Sequence, residues 1–244
     1  MPGRGAPVRL VLSCEHARNH VPRGYAGLFR GQSRLLASHR GYDIGALELA
    51  RHLARRLGVP LYAAPATRLL ADPNRSPGHP RLLSERSRRL SPERRESLLA
   101  ELYHPHRAAV ERAIARLVGD GQRVLHVGVH TFTPRLGGRT RRADVGLLYD
   151  PARALEREVA AALGERVAGC GFRVRRNYPY RGTSDGLTTY LRSRFGRTSY
   201  AGLELEVNQR HASGPSLCWT ALKRCLASAL SWREDPQLRR RAIT

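Results

Sequence analysis

Short apolar runs alternate with amphipathic stretches along the chain. Residues 8–13 (VRLVLS) have the length and composition of a buried strand. Residues 45–57 (GALELARHLARRL) carry apolar side chains at helical spacing, and Gly58 supplies a stop. Residues 59–63 read as a second short strand. Residues 67–80 (TRLLADPNRSPGHP) are rich in turn formers and predict a long functional loop. Ser91-Pro92-Glu93 is a helix start, with a cap, a proline at the first helical position and an acid in the first turn. The helix it opens is expected to break near Pro105, and a second to cover about residues 107–118. Residues 124–129 (VLHVGV) predict a strand ending at His130.

Beyond it come a basic loop over 137–144, a strand over 145–149, a helix over 151–169 and a strand over 172–176. A loop over 177–185 leads to a short helix or turn. The last strand is expected over 201–207 and the last helix over 215–232, with an arginine-rich tail, about 233–244, that frays. Alternating strands and helices predict one α/β domain over 1–244, with a mostly parallel sheet covered on both faces. In such sheets ligands gather at the carboxyl ends of the strands.

Composition changes this picture little. No run of 18 apolar residues exists, which argues against a membrane span, and no signal-peptide pattern is present, so the expected location is cytoplasmic. The four cysteines form no CxxC pair and are expected as free thiols. The net charge of +23 would ordinarily suggest nucleic acid. Yet Lys223 is the only lysine, the arginines are spread along the chain, and only 6% of residues are aromatic. No basic recognition helix or zinc-finger spacing occurs, so no specific nucleic-acid partner is expected; a carboxylate-bearing partner is the other use for such charge.

The candidate chemistry lies where strands end. Glu15-His16 follows the first strand, Asp43 precedes the first long helix, and His130 closes the strand VLHVGV. Two imidazoles and a carboxylate suit a divalent ion, with one position left for water. Glu206, late on the last strand, is placed to move a proton. Each residue also has a plainer role. Either histidine fits a hydrogen-bonded loop, Asp43 fits a helix cap, and Glu206 fits an exposed position or a buried ion pair.

The segments CEHARNHVP, HRGYDIGA, TRLLADPNRSP, HVGVHTFTP, NYPYRGTSDGLTTYLR and LELEVNQ follow in this order. Together they resemble the ordered motifs of the N-formylglutamate amidohydrolase family, over about residues 8–211. The resemblance implies a three-layer, mixed and mostly parallel sheet with helices on both faces, similar to zinc carboxypeptidases and aminoacylase-like deacylases. It implies hydrolysis of the amide of N-formyl-L-glutamate or a related N-acyl amino acid by metal-activated water. It places the ligands of one divalent metal ion, zinc by resemblance, on His16, Asp43 and His130, and the general base and acid on Glu206. Nitrogen and oxygen donors suit several other ions as well.

On the substrate side the resemblance points to Arg68, Asn74 and Arg75 in the long loop, to Thr131 in place of the usual serine, and to Arg181, Thr189 and Arg192 around the later loop. Thr188 stands beside them as a further pocket candidate. A guanidinium recognises a carboxylate with two parallel hydrogen bonds. Arg68 and Asp72 either meet a ligand or brace the loop as a pair. Arg107 departs from the pattern by standing where the family has a histidine, with His104 and His106 beside it, and so does Asn208-Gln209, where many relatives carry an arginine. These departures leave room for another substrate, a different N-acyl compound or a peptide side chain. A metal-free scaffold descended from an enzyme is disfavoured by the intact set of four residues.

Overall fold

The structure is a computed structural model that describes residues 8–214 and 216–231. The chain starts with β1 (Val8–Cys14), α1 (Ser33–Leu36), α2 (Ala46–Leu57) and β2 (Leu61–Ala63). Helices α3 (Pro92–Leu98) and α4 (His104–Gly119) precede β3 (Arg123–Phe132). A small hairpin, β4 (Arg135–Leu136) and β5 (Arg139–Thr140), leads to β6 (Val145–Leu148), α5 (Ala154–Gly169) and β7 (Val174–Arg176). The chain continues through α6 (Leu187–Arg194), β8 (Tyr200–Asn208), α7 (Gln209–Ala212) and α8 (Ser216–Leu230).

Six strands form one sheet in the order β2-β1-β3-β8-β6-β7. The first four are mutually parallel, β6 runs antiparallel to β8, and β7 is parallel to β6. This is the mixed, mostly parallel sheet expected. One face packs on α2, α5 and α8, where Leu12, Leu49, Leu53, Val127, Val167, Leu205 and Leu226 are buried together. The other face carries α4 and α6, through Val11, Ile114, Val124, Leu187 and Leu191. A third apolar cluster, with Phe29, Leu70, Leu98 and Tyr103, supports the long loop. Side chains alternate across a strand. In β3 the odd residues Leu125, Val127 and Val129 therefore enter the first core, while Val124, His126, Gly128 and His130 face the other way.

Local signals work as the chemistry demands. Ser91 accepts a hydrogen bond from the Arg94 amide and caps α3. Gly58 ends α2 with φ +60°, the left-handed conformation that suits glycine. Three expectations need correction. The helix does not break at Pro105: a π-helical stretch, Leu99–Tyr103, runs straight into α4. Pro105 sits in the first turn of α4, where a missing N–H does least harm. Strand β3 continues past His130 to Phe132, because β8 pairs with it along its whole second half. Cys170 and Cys225 are joined as a disulfide instead of standing free, with Cα atoms 6.5 Å apart. Helices α5 and α8 cover the same sheet face and so bring together two residues 55 positions apart. Cys14 and Cys218 are free. The expected tail, Pro215 and Trp232 lie outside the described residues.

Asp144 locks the reversed edge of the sheet to the segment after β8. Its carboxylate accepts from the Arg173 amide at 2.8 Å and from His211 at 2.6 Å, and pairs with Arg210. Although burial opposes ionisation, these donors hold its pKa down at about 2. A carboxylate whose pKa is depressed on folding contributes stability above its unfolded value, near 4, and loses it as pH falls through the folded value. Asp144→Asn should therefore lower stability by about 2 kcal/mol near neutral pH. The deficit should vanish as pH falls toward about 2. Denaturant unfolding of both proteins across that range measures it.

Candidate functional site

The outward face of β1, β3 and β8 changes character along the strands. At the amino ends Val11, Val124 and Tyr200 are apolar and buried. One step on, His126 lies between Ser13 Oγ at 2.7 Å and Tyr200 OH at 3.0 Å. Burial draws the pKa of His126 down to about 4, so it stays neutral within the core. Further toward the carboxyl ends come Glu15, Gly128 and Glu204, and then His130 and Glu206, which the parallel register of β3 and β8 pairs side by side.

His16 leaves the end of β1, and Asp43 arrives on the turn before α2. Asp43 is not a helix cap: Gly45, at φ +85°, occupies the N-cap of α2. The carboxylate of Asp43 turns instead to the histidines. Its Oδ2 lies 3.3 Å from His16 Nδ1, 3.0 Å from His130 Nδ1, and 3.3 Å from the Thr131 amide, which donates to it. His16, Asp43 and His130 each offer one ligand atom within 4.8 Å of the others, and all three are buried.

Each imidazole presents Nδ1 to this focus and backs Nε2 onto another carboxylate. His16 Nε2 lies 2.7 Å from Asp72 Oδ1. His130 Nε2 lies 2.9 Å from Glu15 Oε2, an ion-pairing distance without hydrogen-bond alignment. Glu15 Oε1 in turn faces His106 Nε2 at 3.6 Å. Carboxylates behind imidazoles fix ring orientation and raise basicity, the usual arrangement around bound metal ions. Burial depresses the pKa of His130, but Asp43 and Glu15 outweigh it and hold it well above the ordinary value. Burial and Arg68 depress that of His16, and Asp72 with Asp43 reverses the balance upward. The same partners keep Asp43, Asp72 and Glu15 ionised despite burial.

Glu206 behaves differently. It is buried, and its Oε2 has no hydrogen-bond partner among the described residues. Burial, opposed by His130 and aided by Asp43 and Glu204, pushes its pKa up to about 8. A carboxyl poised near neutrality beside a cluster of donors suits proton transfer in either direction.

The expected substrate residues divide. Arg68 reaches the cluster: Nη1 donates to His16 Nδ1 at 3.0 Å and lies 3.6 Å from Asp43 Oδ1, while Nη2 pairs with Asp72 Oδ2 at 2.7 Å. Arg68 thus touches the site and braces the loop at once. Asn74 and Arg75 hold the long loop to the α6 segment. Asn74 accepts from the Leu187 amide and donates to Glu204, and Arg75 donates to the Asp185 carbonyl. Thr131 directs its hydroxyl to the Ile44 carbonyl and accepts from Gln209. Arg192 is committed to Glu156 and to the carbonyls of Gly182 and Gly202, and Thr189 to the Ser184 carbonyl. Thr188 donates to Glu204. Arg181 is exposed, and its side chain has no hydrogen bond or ion pair to the cluster among the described residues. Of these side chains Arg68 reaches the His16–Asp43 pair, Asn74, Arg75, Thr131, Thr188, Thr189 and Arg192 bond within the framework, and Arg181 stands at the surface.

Glu15, Asp72 and His106, named above beside the expected ligands, back the cluster, and Glu204 joins them unexpected. Glu15 and Glu204 follow from period-two alternation on the faces that carry Ser13 and Glu206. His106 has no local signal, since only the packing of α4 against the sheet delivers it.

Arg107, which stands where the expected motif has a histidine, ties the long loop to α4. It is buried, donates to the carbonyls of Pro73 at 2.9 Å and Arg75 at 3.2 Å, and lies over the rings of Tyr103 and Tyr190 at 5.3 and 4.6 Å. Aromatic faces and carbonyls thus stand in for a counter-ion.

Comparisons with known proteins identify the family. Residues 8–212 match the N-formylglutamate amidohydrolase family, and the chain belongs to that family of hydrolases. It is similar to the structure of gene product Atu2144 from Agrobacterium tumefaciens, with 29% identity, 95% and 94% of the two chains covered, and a TM-score of 0.78. It shares its fold with N-formylglutamate amidohydrolase from Ralstonia eutropha JMP134, at 18% identity, 98% and 96% coverage and a TM-score of 0.69. No curated protein sequence matches. No helix among the described residues is long and apolar enough to cross a membrane.

Replacing Arg107 by alanine should strand the buried Pro73 carbonyl, while the Arg75 carbonyl keeps the Tyr103 hydroxyl, and cost about 2 kcal/mol of stability. Hydrogen exchange at the Asn74 amide, which donates to Asp72, should accelerate. Arg107→Lys should restore only part, because an ammonium has no flat face to lie over the rings of Tyr103 and Tyr190.

Proposed function

We propose that the protein is a metal-dependent amidohydrolase that cleaves the amide of an N-formyl or N-acyl amino acid resembling N-formyl-L-glutamate. The observation that carries this reading is the convergence of His16, Asp43 and His130, buried and backed by carboxylates, beside a carboxyl of raised pKa. The donor set fits a divalent ion. Two imidazole nitrogens and a carboxylate oxygen make the three-ligand, open-position arrangement of catalytic zinc sites. Such an ion lowers the pKa of bound water and polarises a carbonyl. The ordered motifs and the match to the family support the amide as the bond attacked.

The roles of the chain's own groups follow. Asp72 and Glu15 hold the rings so that both Nδ1 atoms face the focus. Arg68, whose guanidinium faces His16 Nδ1, would give up that nitrogen to the ion and direct its charge to a substrate carboxylate or to charge developing on the scissile oxygen. Glu206 takes a proton from the attacking water and returns it to the departing amine. Its burial lets it carry that proton at neutral pH.

Purified protein should contain one divalent ion per chain. His130→Ala should lose it, whereas Glu206→Gln should keep it and lose turnover on the order of a thousandfold. Asp72→Asn should weaken metal affinity by about 10–100-fold. Metal analysis and hydrolysis of N-formyl-L-glutamate after chelation and reloading provide the check. Full turnover in the chelated protein, or in Glu206→Gln, would overturn the reading.

A further inference from the structure

A cavity of about 250 Å³ opens beside the histidine cluster. Arg68, which donates to His16, and Asp72, which orients it, form part of its wall. The rest comes from the α1 region and the loop ahead of α3. Five of its eleven lining residues are arginines: Arg40, Arg68, Arg81, Arg86 and Arg88. Only 43 of the chain's 244 residues are lysine or arginine, so the chain's general basicity does not account for this density.

Three of these arginines differ from those built into the framework. Arg107, Arg153 and Arg192 end on main-chain carbonyls inside the fold. Arg68 pairs with Asp72. Arg86 donates to the Leu28 carbonyl at 3.3 Å and lies over Phe29. Among the described residues no carboxylate lies within ion-pairing distance of Arg40, Arg81 or Arg88, and all three are exposed. Five guanidiniums face two carboxylates, Asp72 and Glu85, leaving a surplus of three positive charges. Guanidinium forks recognise carboxylates and phosphates. The volume fits a small branched anion and is below the usual range for a whole ligand.

We propose that this cavity is a subsite for acidic groups of a substrate longer than one amino acid, an N-acyl peptide with several carboxylates. Its scissile amide lies at the histidine cluster and its acidic arm reaches past Arg68 into the cavity. The proposal rests on the amidohydrolase reading for the identity of the ligand, and on the arginine-lined cavity for its charge.

The metal-loaded protein is titrated with citrate and with pyrophosphate by calorimetry, alongside an Arg81→Ala/Arg88→Ala variant and an Arg112→Ala/Arg116→Ala control on the exposed side of α4. Hydrolysis of N-formyl-triglutamate is compared with that of N-formylglutamate in each. We expect citrate to bind the parent protein, to lose about tenfold or more in affinity in the cavity variant, and to be unchanged in the control. The preference for the longer substrate, read as a ratio of kcat/KM, should fall in the cavity variant alone. Equal losses in cavity variant and control would reduce the effect to net charge and overturn the proposal. So would arginine-dependent binding of pyrophosphate without preference for the longer substrate, which assigns the cavity to a phosphate. Citrate binding that depends on Arg81 and Arg88, with no hydrolysis of either substrate, would support the anion cavity and overturn the amidohydrolase reading instead.

Discussion

The site depends on the hydrogen-bonded register between β3 and β8. Parallel pairing sets His130 opposite Glu206 and Val127 opposite Leu203. A slip of one residue would exchange the two faces of a strand. It would drive the charged row into the core against α2, α5 and α8, and turn leucines and valines toward the histidine cluster. The dense apolar packing on that side therefore holds the polar groups on the other side at the spacing their chemistry needs. Long-range contacts converge on this seam, and His16, Asp43 and the long loop are arranged around it.

Much of this was legible in the chain. The alternation in VLHVGVH announces a strand that is apolar on one face and carries histidines on the other. The Ser91 cap and the Gly58 stop gave helix ends that the structure keeps. Positions decided by distant partners were less legible. Asp43 could be read as a cap because nothing nearby distinguishes a carboxylate serving an amide from one serving two imidazoles. Asn74 and Arg192 carry groups suited to a ligand, and the fold engages both with its own backbone. The Cys170–Cys225 pair has no spacing signature, since the sheet crossovers alone bring α5 against α8.

Arginine has three distinct uses here. Buried arginines such as Arg107 and Arg192 act as ties, closing loops onto carbonyls that would otherwise lack donors. Arg68 stands between tie and site, held by one carboxylate and directed at a second. The exposed set around the neighbouring cavity has neither duty. A high net charge therefore conceals a division of labour that total composition cannot reveal.

Gly146 on β6 is paired with Glu206 across the antiparallel edge of the sheet. A β-carbon there would coincide with the carbonyl oxygen of Tyr178 and press on the Glu206 side chain at 3.3 Å. The missing side chain lets main chain from a later loop lie directly over the acid, so the roof on that flank is peptide. Mutation can alter the cluster's other walls by exchanging side chains, but this one only by moving backbone. That one flank of the acid's surroundings is thereby insulated from gradual sequence drift, whatever change of substrate the surrounding loops undergo.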